Sequence, residues 1–248
     1  MDLRTLVLDI ETAPMLAYVW GRRDIQISTN QIKSDWYVLA WAAKWLNEPK
    51  MYYLDQRRAR NIENDLEILT PLWKLLDIAD IVITQNGKAF DGPKLNARFI
   101  SHGMKPPSPY RHLDTYLIAK KVAAFSSNSL EYLTNKLCTK YKKLSHGKFP
   151  GMELWKECLA GNKDAWDEMK KYNTHDVLST EELYGVLKAW APQDAPRPYR
   201  AASPEIKCET CNVKAQMHKY GFRFTNKKKY QRWQCQSCGA FNVSGEVK

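Results

Sequence analysis

Short apolar runs alternate with longer stretches of helical periodicity through the first three quarters of the chain. Residues 5–11 (TLVLDIE), 36–45 (WYVLAWAAKW) and 50–55 (KMYYLD) are strand-length and rich in β-branched or aromatic residues, which predicts three strands. A helical pattern over 63–78 follows, with Pro71 either kinking it or marking a restart, and residues 79–86 (ADIVITQN) predict another strand. Apolar positions recur at helical spacing over 92–103, 129–138 and 164–190, while the Pro-rich loop 104–111 leads into a short strand at HLDTY. Strands that give way to helices in this manner predict an α/β fold in which helices flank a mixed sheet.

The pattern changes after residue 190. Residues 190–206 carry Pro192, Pro196, Pro198 and Pro204 without apolar periodicity, which predicts an extended linker. The chain therefore divides into a domain over 1–190, a Pro-rich linker over 191–206 and a small β domain over 207–248. A chain of 248 residues is long enough for one full core and such an appendage. Charge follows the same division: residues 190–248 hold 11 Lys+Arg against 4 Asp+Glu, a large share of the total of +11. Clustered cations displace counterions from a phosphate backbone, so the excess favours nucleic acid as a partner over non-specific basicity. No apolar run is long enough to span a bilayer, and an acid stands where a signal peptide would be apolar, so the expectation is a cytoplasmic protein without membrane contact.

Four of six cysteines form two pairs, Cys208/Cys211 and Cys235/Cys238, with 23 residues between the pairs. Four thiolates at that spacing fit one closed, structural, tetrahedral Zn2+ site of the zinc-ribbon kind. Between the pairs, Lys227, Lys228, Lys229 and Arg232 interleave with Tyr220, Phe222, Phe224, Tyr230 and Trp233. Cations for phosphates and aromatics for unpaired bases suit single-stranded nucleic acid, with Lys227, Lys228, Lys229, Arg232 and Trp233 as candidate contacts. Some aromatics in so small a unit must serve as core, and docking of a protein is the other role open to this surface.

Acidic residues recur at three places upstream. Asp9 and Glu11 are two apart on a predicted strand, so their side chains share a face and repel unless a cation joins them. Asp91, in NGKAFDGPKL (86–95), begins a predicted helix, where an N-cap is the ordinary role of Asp. Tyr172 and Asp176, in YNTHD, are spaced i, i+4 and share a helix face.

Taken in order, DIET, NGKAFD and Y-x-x-x-D before an amphipathic helix closely resemble the motifs of the DnaQ-like, or DEDD, proofreading exonucleases of the ribonuclease H-like superfamily. The resemblance covers about residues 1–190. It implies a ribonuclease H-like fold and a 3'-5' exonuclease in which Asp9, Glu11, Asp91 and Asp176 hold two Mg2+ or Mn2+ ions, with Asp9 bridging both. Tyr172 matches the tyrosine subclass (DEDDy), where it orients the attacking water or the scissile phosphate. His175 does not match the histidine subclass, because it stands beside Asp176 and points roughly 100 degrees away around the helix. Asn86 and Phe90 are candidate contacts to the terminal nucleotide, Phe90 by stacking unless it belongs to the core. Asp114 is left out of the metal site as structural. Lys142, Lys143, His146 and Lys148 either track the substrate backbone or form a solvated charge run. Single-stranded DNA is the favoured substrate. RNA or a structured nucleic acid acted on by the same site is the nearer alternative, and a non-catalytic nucleic-acid-binding adaptor the more distant one.

Overall fold

A computed structural model describes residues 3–23, 26–142, 144, 147–191, 208–213, 217–224 and 229–246, with backbone alone at 220–224, 229 and 241–246. Its centre is a five-stranded sheet in the order β5-β4-β1-β6-β7, made of β1 (Thr5–Thr12), β4 (Val38–Trp45), β5 (Met51–Asp55), β6 (Ile81–Thr84) and β7 (Arg111–Asp114). β1 runs antiparallel to β4 and parallel to β6, and β6 runs parallel to β7. The sheet is therefore mixed, and its direction reverses beside β1. Between β1 and β4 the chain makes a small hairpin of β2 (Leu16–Ala17) and β3 (Ile32–Ser34).

Period-two alternation sorts β1 onto two cores. Leu6, Leu8 and Ile10 face a cluster with Trp41, α1 (Leu66–Asp77) and Leu95 and Phe99 of α2 (Asp91–Ser101). Val7 faces the other way, onto α3 (Thr115–Val122), α4 (Leu130–Leu137) and α6 (Lys163–Leu187). All eight residues of β4 are buried, which is why WYVLAWAAKW reads as a continuous apolar run without alternation. Trp41 still satisfies its indole N–H, which donates to the Ile68 carbonyl at 2.7 Å.

Helix α6, about 37 Å long at 1.5 Å per residue, is the spine of one face. Ala165, Trp166 and Met169 at its start pack with α5 (Glu153–Leu159), and Val177, Leu183 and Leu187 pack on the sheet. Glu181 pins it through Lys44 and the Asn47 N–H. Glu182 accepts the N–H groups of Thr139, Lys140 and Tyr141.

The fold class is as expected, with differences of detail. Helix α1 continues through Pro71 as one element, so there is no restart. Only RHLD of the segment around HLDTY is strand; Asp114 then caps α3 by accepting the Tyr116 and Leu117 N–H groups. Helix α5 and the β2–β3 hairpin carried no signal long enough to read. Beyond the linker stretch, which apart from Ala191 lies outside the described residues, a second sheet runs β10-β9-β8 from β8 (Met217–Phe224), β9 (Lys229–Cys235) and β10 (Phe241–Glu246).

Candidate active site

Where a parallel pair meets an antiparallel neighbour, the connections leave in different directions and open a crevice at the carboxyl ends of the strands. Asp9 and Glu11 occupy that end of β1, where burial gives way to partial exposure and the pairing with β4 slips between Glu11 and Thr12. Asp91 comes to the same place. It is the first residue of α2, yet its Oδ1 accepts the N–H of Ile10, between Asp9 and Glu11, at 3.1 Å. Its carboxylate is thus directed at β1 rather than at the helix it begins.

The loop before α2 is built to allow this approach. Asn86 has φ of 61°. A Cβ on Gly87 would lie 2.2 Å from Thr84 Oγ1 and 2.9 Å from Asp91 Oδ2, so only glycine fits. Asp114 anchors the loop by accepting the Asn86 and Lys88 N–H groups at 2.9 and 3.0 Å, in addition to its cap on α3. That network occupies the Asp114 carboxylate in structure.

Helix α6 brings the remaining groups. Asp9 and Asp176 line one cleft of about 620 Å3, together with Gln85, Asn86, Tyr116, Asn128 and Ser129. Asn173, three residues before Asp176, donates its amide to Asp9 Oδ2 at 2.6 Å and to the Asp9 carbonyl at 3.3 Å. Trp155 of α5 donates its indole N–H to Glu11 Oε2 at 3.2 Å and meets the buried ring of Tyr172 edge-on, with centroids 6.4 Å apart. The three motifs thus meet around one cleft. Among the described residues the four carboxylates do not close into a group with all ligand oxygens within 4.8 Å, as the four cysteines do.

Burial pushes the Asp91 carboxyl up to about 7, against the lowering effect of the Ile10 and Asp91 N–H groups, and the charge of Asp114 adds to the rise. A carboxyl that resists ionisation in an acidic surrounding is one whose charged form a hard cation would stabilise. The donor set, all oxygen, fits such a cation.

Other candidates fall elsewhere. His175 holds a loop: its Nε2 lies 2.5 Å from the Lys142 carbonyl and its ring meets Tyr141 edge-on. Lys148 pairs with Asp164, while Lys143 and His146 lie outside the described residues. Phe90 is 38% exposed rather than core, and Lys94 Nζ lies 5.2 Å from its ring centroid. Asn173 and Trp155 had no sequence signal of their own, one being a neutral residue inside a helix and the other standing on a seven-residue helix.

The four cysteine sulfurs lie within 4.8 Å of one another, with Cys208–Cys238 and Cys211–Cys235 at 3.6 Å. Those separations exclude disulfides and match the edge of about 3.8 Å expected of a tetrahedron with 2.3 Å zinc–sulfur bonds. The two Cys pairs repeat one turn geometry. Asn212 and Gly239, each four residues past a first cysteine, have positive φ and donate to the Cys208 and Cys235 carbonyls at 2.9 Å. Burial raises the Cys208 thiol, but the N–H groups of Cys211 and Thr210 outweigh it and bring it down to about 7. The cluster is compatible with a small zinc-binding unit. Of the binding residues predicted there, Lys227 and Lys228 lie outside the described residues. Arg232 and Trp233 are adjacent on β9 and so face opposite sides; Trp233 is directly opposite Lys219, whose Nζ is 5.7 Å from its ring.

Comparison with known families agrees with this fold. The family model described as the RNase H superfamily matches residues 28–188, and the chain belongs to that superfamily. Membership supports a nuclease that handles nucleic acid. Among solved structures, the chain is similar to the family B DNA polymerase from the hyperthermophilic archaeon Pyrobaculum calidifontis, with a TM-score of 0.53 and 15% identity. The alignment covers 83% of this chain and 32% of the polymerase, so the chain spans about a third of that protein's length and the likeness is one of fold. A search of curated proteins finds no match. The family match begins after β1 and so does not include Asp9 and Glu11.

Proposed function

We propose that the chain is a 3'-5' exonuclease of the DEDDy kind acting on single-stranded DNA in the cytoplasm, with a C-terminal zinc ribbon over 207–248 that adds affinity for nucleic acid. The observation that carries this reading is the hydrogen bond from Ile10 to Asp91, which joins the first two motifs at the end of β1, beside the cleft that Asp9 shares with Asp176.

Asp9, Glu11, Asp91 and Asp176 would hold two Mg2+ or Mn2+ ions, which when bound supply charge neutralisation at the phosphate and at the attacking and leaving oxygens. The other groups prepare that site. Asn173 fixes the rotamer of Asp9, and Trp155 orients Glu11 while fixing the ring of Tyr172. The Tyr172 hydroxyl orients the attacking water or the scissile phosphate, since a phenol is a poor base at neutral pH. Asn86 and Phe90, exposed beside the cleft, receive the terminal nucleotide.

The test uses 5'-labelled single-stranded DNA and RNA with Mg2+ or Mn2+, comparing wild type with Asp9→Ala and Tyr172→Phe. Stepwise shortening from the 3' end is expected with DNA. Asp9→Ala should slow it by at least about a hundredfold, the scale of several kcal/mol of lost charge stabilisation. Tyr172→Phe should slow turnover while metal binding, followed by calorimetry, stays unchanged. Faster cleavage of RNA reassigns the substrate, and binding without cleavage of either establishes an adaptor.

A further inference from the structure

The chain leaves β1 at Thr12, immediately after Glu11, and returns to the sheet only at Val38. Its excursion is tied at the neck. Leu16 pairs with Ser34 and Ala17 with Ile32, the Tyr18 N–H donates to the Gln31 carbonyl at 2.9 Å, and the Gln31 side-chain amide donates to the Tyr18 carbonyl at 2.9 Å. Gln31 Oε1 in turn accepts the Ser28 N–H at 2.9 Å. Beyond this bonded neck, Trp20 is 99% exposed, Tyr18 66% and Val19 50%, and Arg22 and Arg23 are exposed. A tryptophan extended into water forgoes the largest burial of any side chain, and clustered exposure of this kind marks a surface that meets a partner.

Both feet of the hairpin connect to the carboxylate motifs. One is Glu11–Thr12. The other leads through Trp36, over whose ring Lys94 Nζ sits at 3.6 Å, and the same Nζ lies 5.2 Å from Phe90, next to Asp91. A run of aromatic and cationic groups therefore continues from the foot of the hairpin to the second motif. Aromatic faces that stack on any base, with guanidinium groups for the phosphates between them, are the chemistry of unpaired nucleic acid.

We propose that the β2–β3 hairpin is a single-strand-binding arm. Tyr18 and Trp20 stack on bases of the strand whose 3' end lies in the cleft, and Arg22 and Arg23 pair with its phosphates. Only the direction of the strand rests on the exonuclease reading; the binding surface does not. The experiment measures binding of fluorescein-labelled oligothymidylate and oligouridylate to the full chain by anisotropy, without divalent metal. Wild type is compared with Trp20→Ala and with the Arg22→Ala/Arg23→Ala double variant, a blunt duplex serves as a third probe, and sedimentation velocity is run on all three proteins.

Trp20→Ala should weaken both single-stranded probes about tenfold, the loss of one stacked base, with little change for duplex. The double variant should lower the salt dependence of binding by about two phosphate contacts. Each substituted residue is exposed, and unchanged thermal melting confirms that the fold is intact. Wild-type affinity in Trp20→Ala overturns the arm, as does self-association of wild type that Trp20→Ala abolishes, which would make the tip a contact between copies. Arm-dependent binding in a protein that cuts nothing overturns the exonuclease reading alone.

Discussion

Asp91 shows how burial prepares one residue for the proposed metal. It is 3% exposed, and its carboxyl moves from an ordinary 3.8 to about 7, mainly because burial disfavours its charge. A group whose pKa is higher folded than unfolded holds its proton more tightly in the folded state. Its contribution is therefore fully present below pH 3.8 and is lost as pH rises through about 7. Metal-free protein should lose stability across that window, by on the order of a few kcal/mol, and Asp91→Asn should lack the slope because its amide carries no proton to lose. Excess Mg2+ at pH 8 should restore wild type, since the ion takes the place of the proton, and leave Asp91→Asn nearly unchanged. Thermal melts at four pH values, with and without Mg2+, measure both effects. Equal slopes in the two proteins would mean that Asp91 is not the group that titrates.

At the level of elements, the loop between β6 and α2 sets how closely Asp91 approaches β1. Gly87→Ala places a methyl 2.5 Å from Thr84 Cβ and 2.9 Å from Asp91 Oδ2. Overpacking of that degree costs about 1–3 kcal/mol, and the loop relieves it by moving Asp91 away from Ile10. The variant should melt several degrees lower and lose nuclease activity, whereas Gly185→Ala, in an open position inside α6, should leave activity unchanged and melt slightly higher, since alanine favours a helix over glycine by about 1 kcal/mol. Equal activity in Gly87→Ala and wild type would show that the approach of Asp91 to β1 has no part in the reaction. The elements that could be read from sequence were those whose burial is periodic over many residues: β1, β4, α2 and α6 lie within a few residues of the bounds their patterns predict. Helix α5 has only Leu154 and Cys158 buried, too few to show a period, so Trp155 and its bond to Glu11 were hidden with it. The bond from Ile10 to Asp91 spans 81 residues and uses a backbone donor, which no side-chain pattern reports. The carboxylates were legible as motifs; what orients them was not.

On the scale of the whole molecule, the proposed two units would be stabilised by different means. The five-stranded sheet has apolar clusters on both faces, and Ala191, just past α6, is still buried in one of them. The described residues of the C-terminal unit bury only Cys208, Cys235 and Ala240 as a cluster, with Cys211, Met217, Cys238 and Ala189 against it. A metal held by the four thiolates would contribute on the order of 10 kcal/mol toward ordering the three strands. Removal of zinc by a strong chelator should release one ion per chain and leave β8, β9 and β10 exchanging amide hydrogens freely, while β1, β4 and β6 stay protected. Cys208→Ser should reproduce that pattern without chelator. A chain ended after Ala191, which keeps the last buried residue of the larger unit, should remain folded and cleave short single strands. With 7 of the net 11 positive charges gone, its binding to long strands should weaken and depend less steeply on salt. Hydrogen exchange read by mass spectrometry distinguishes the cases. If protection disappears from the five-stranded sheet together with the three-stranded one, the two units fold as one and the proposed boundary near residue 191 is wrong.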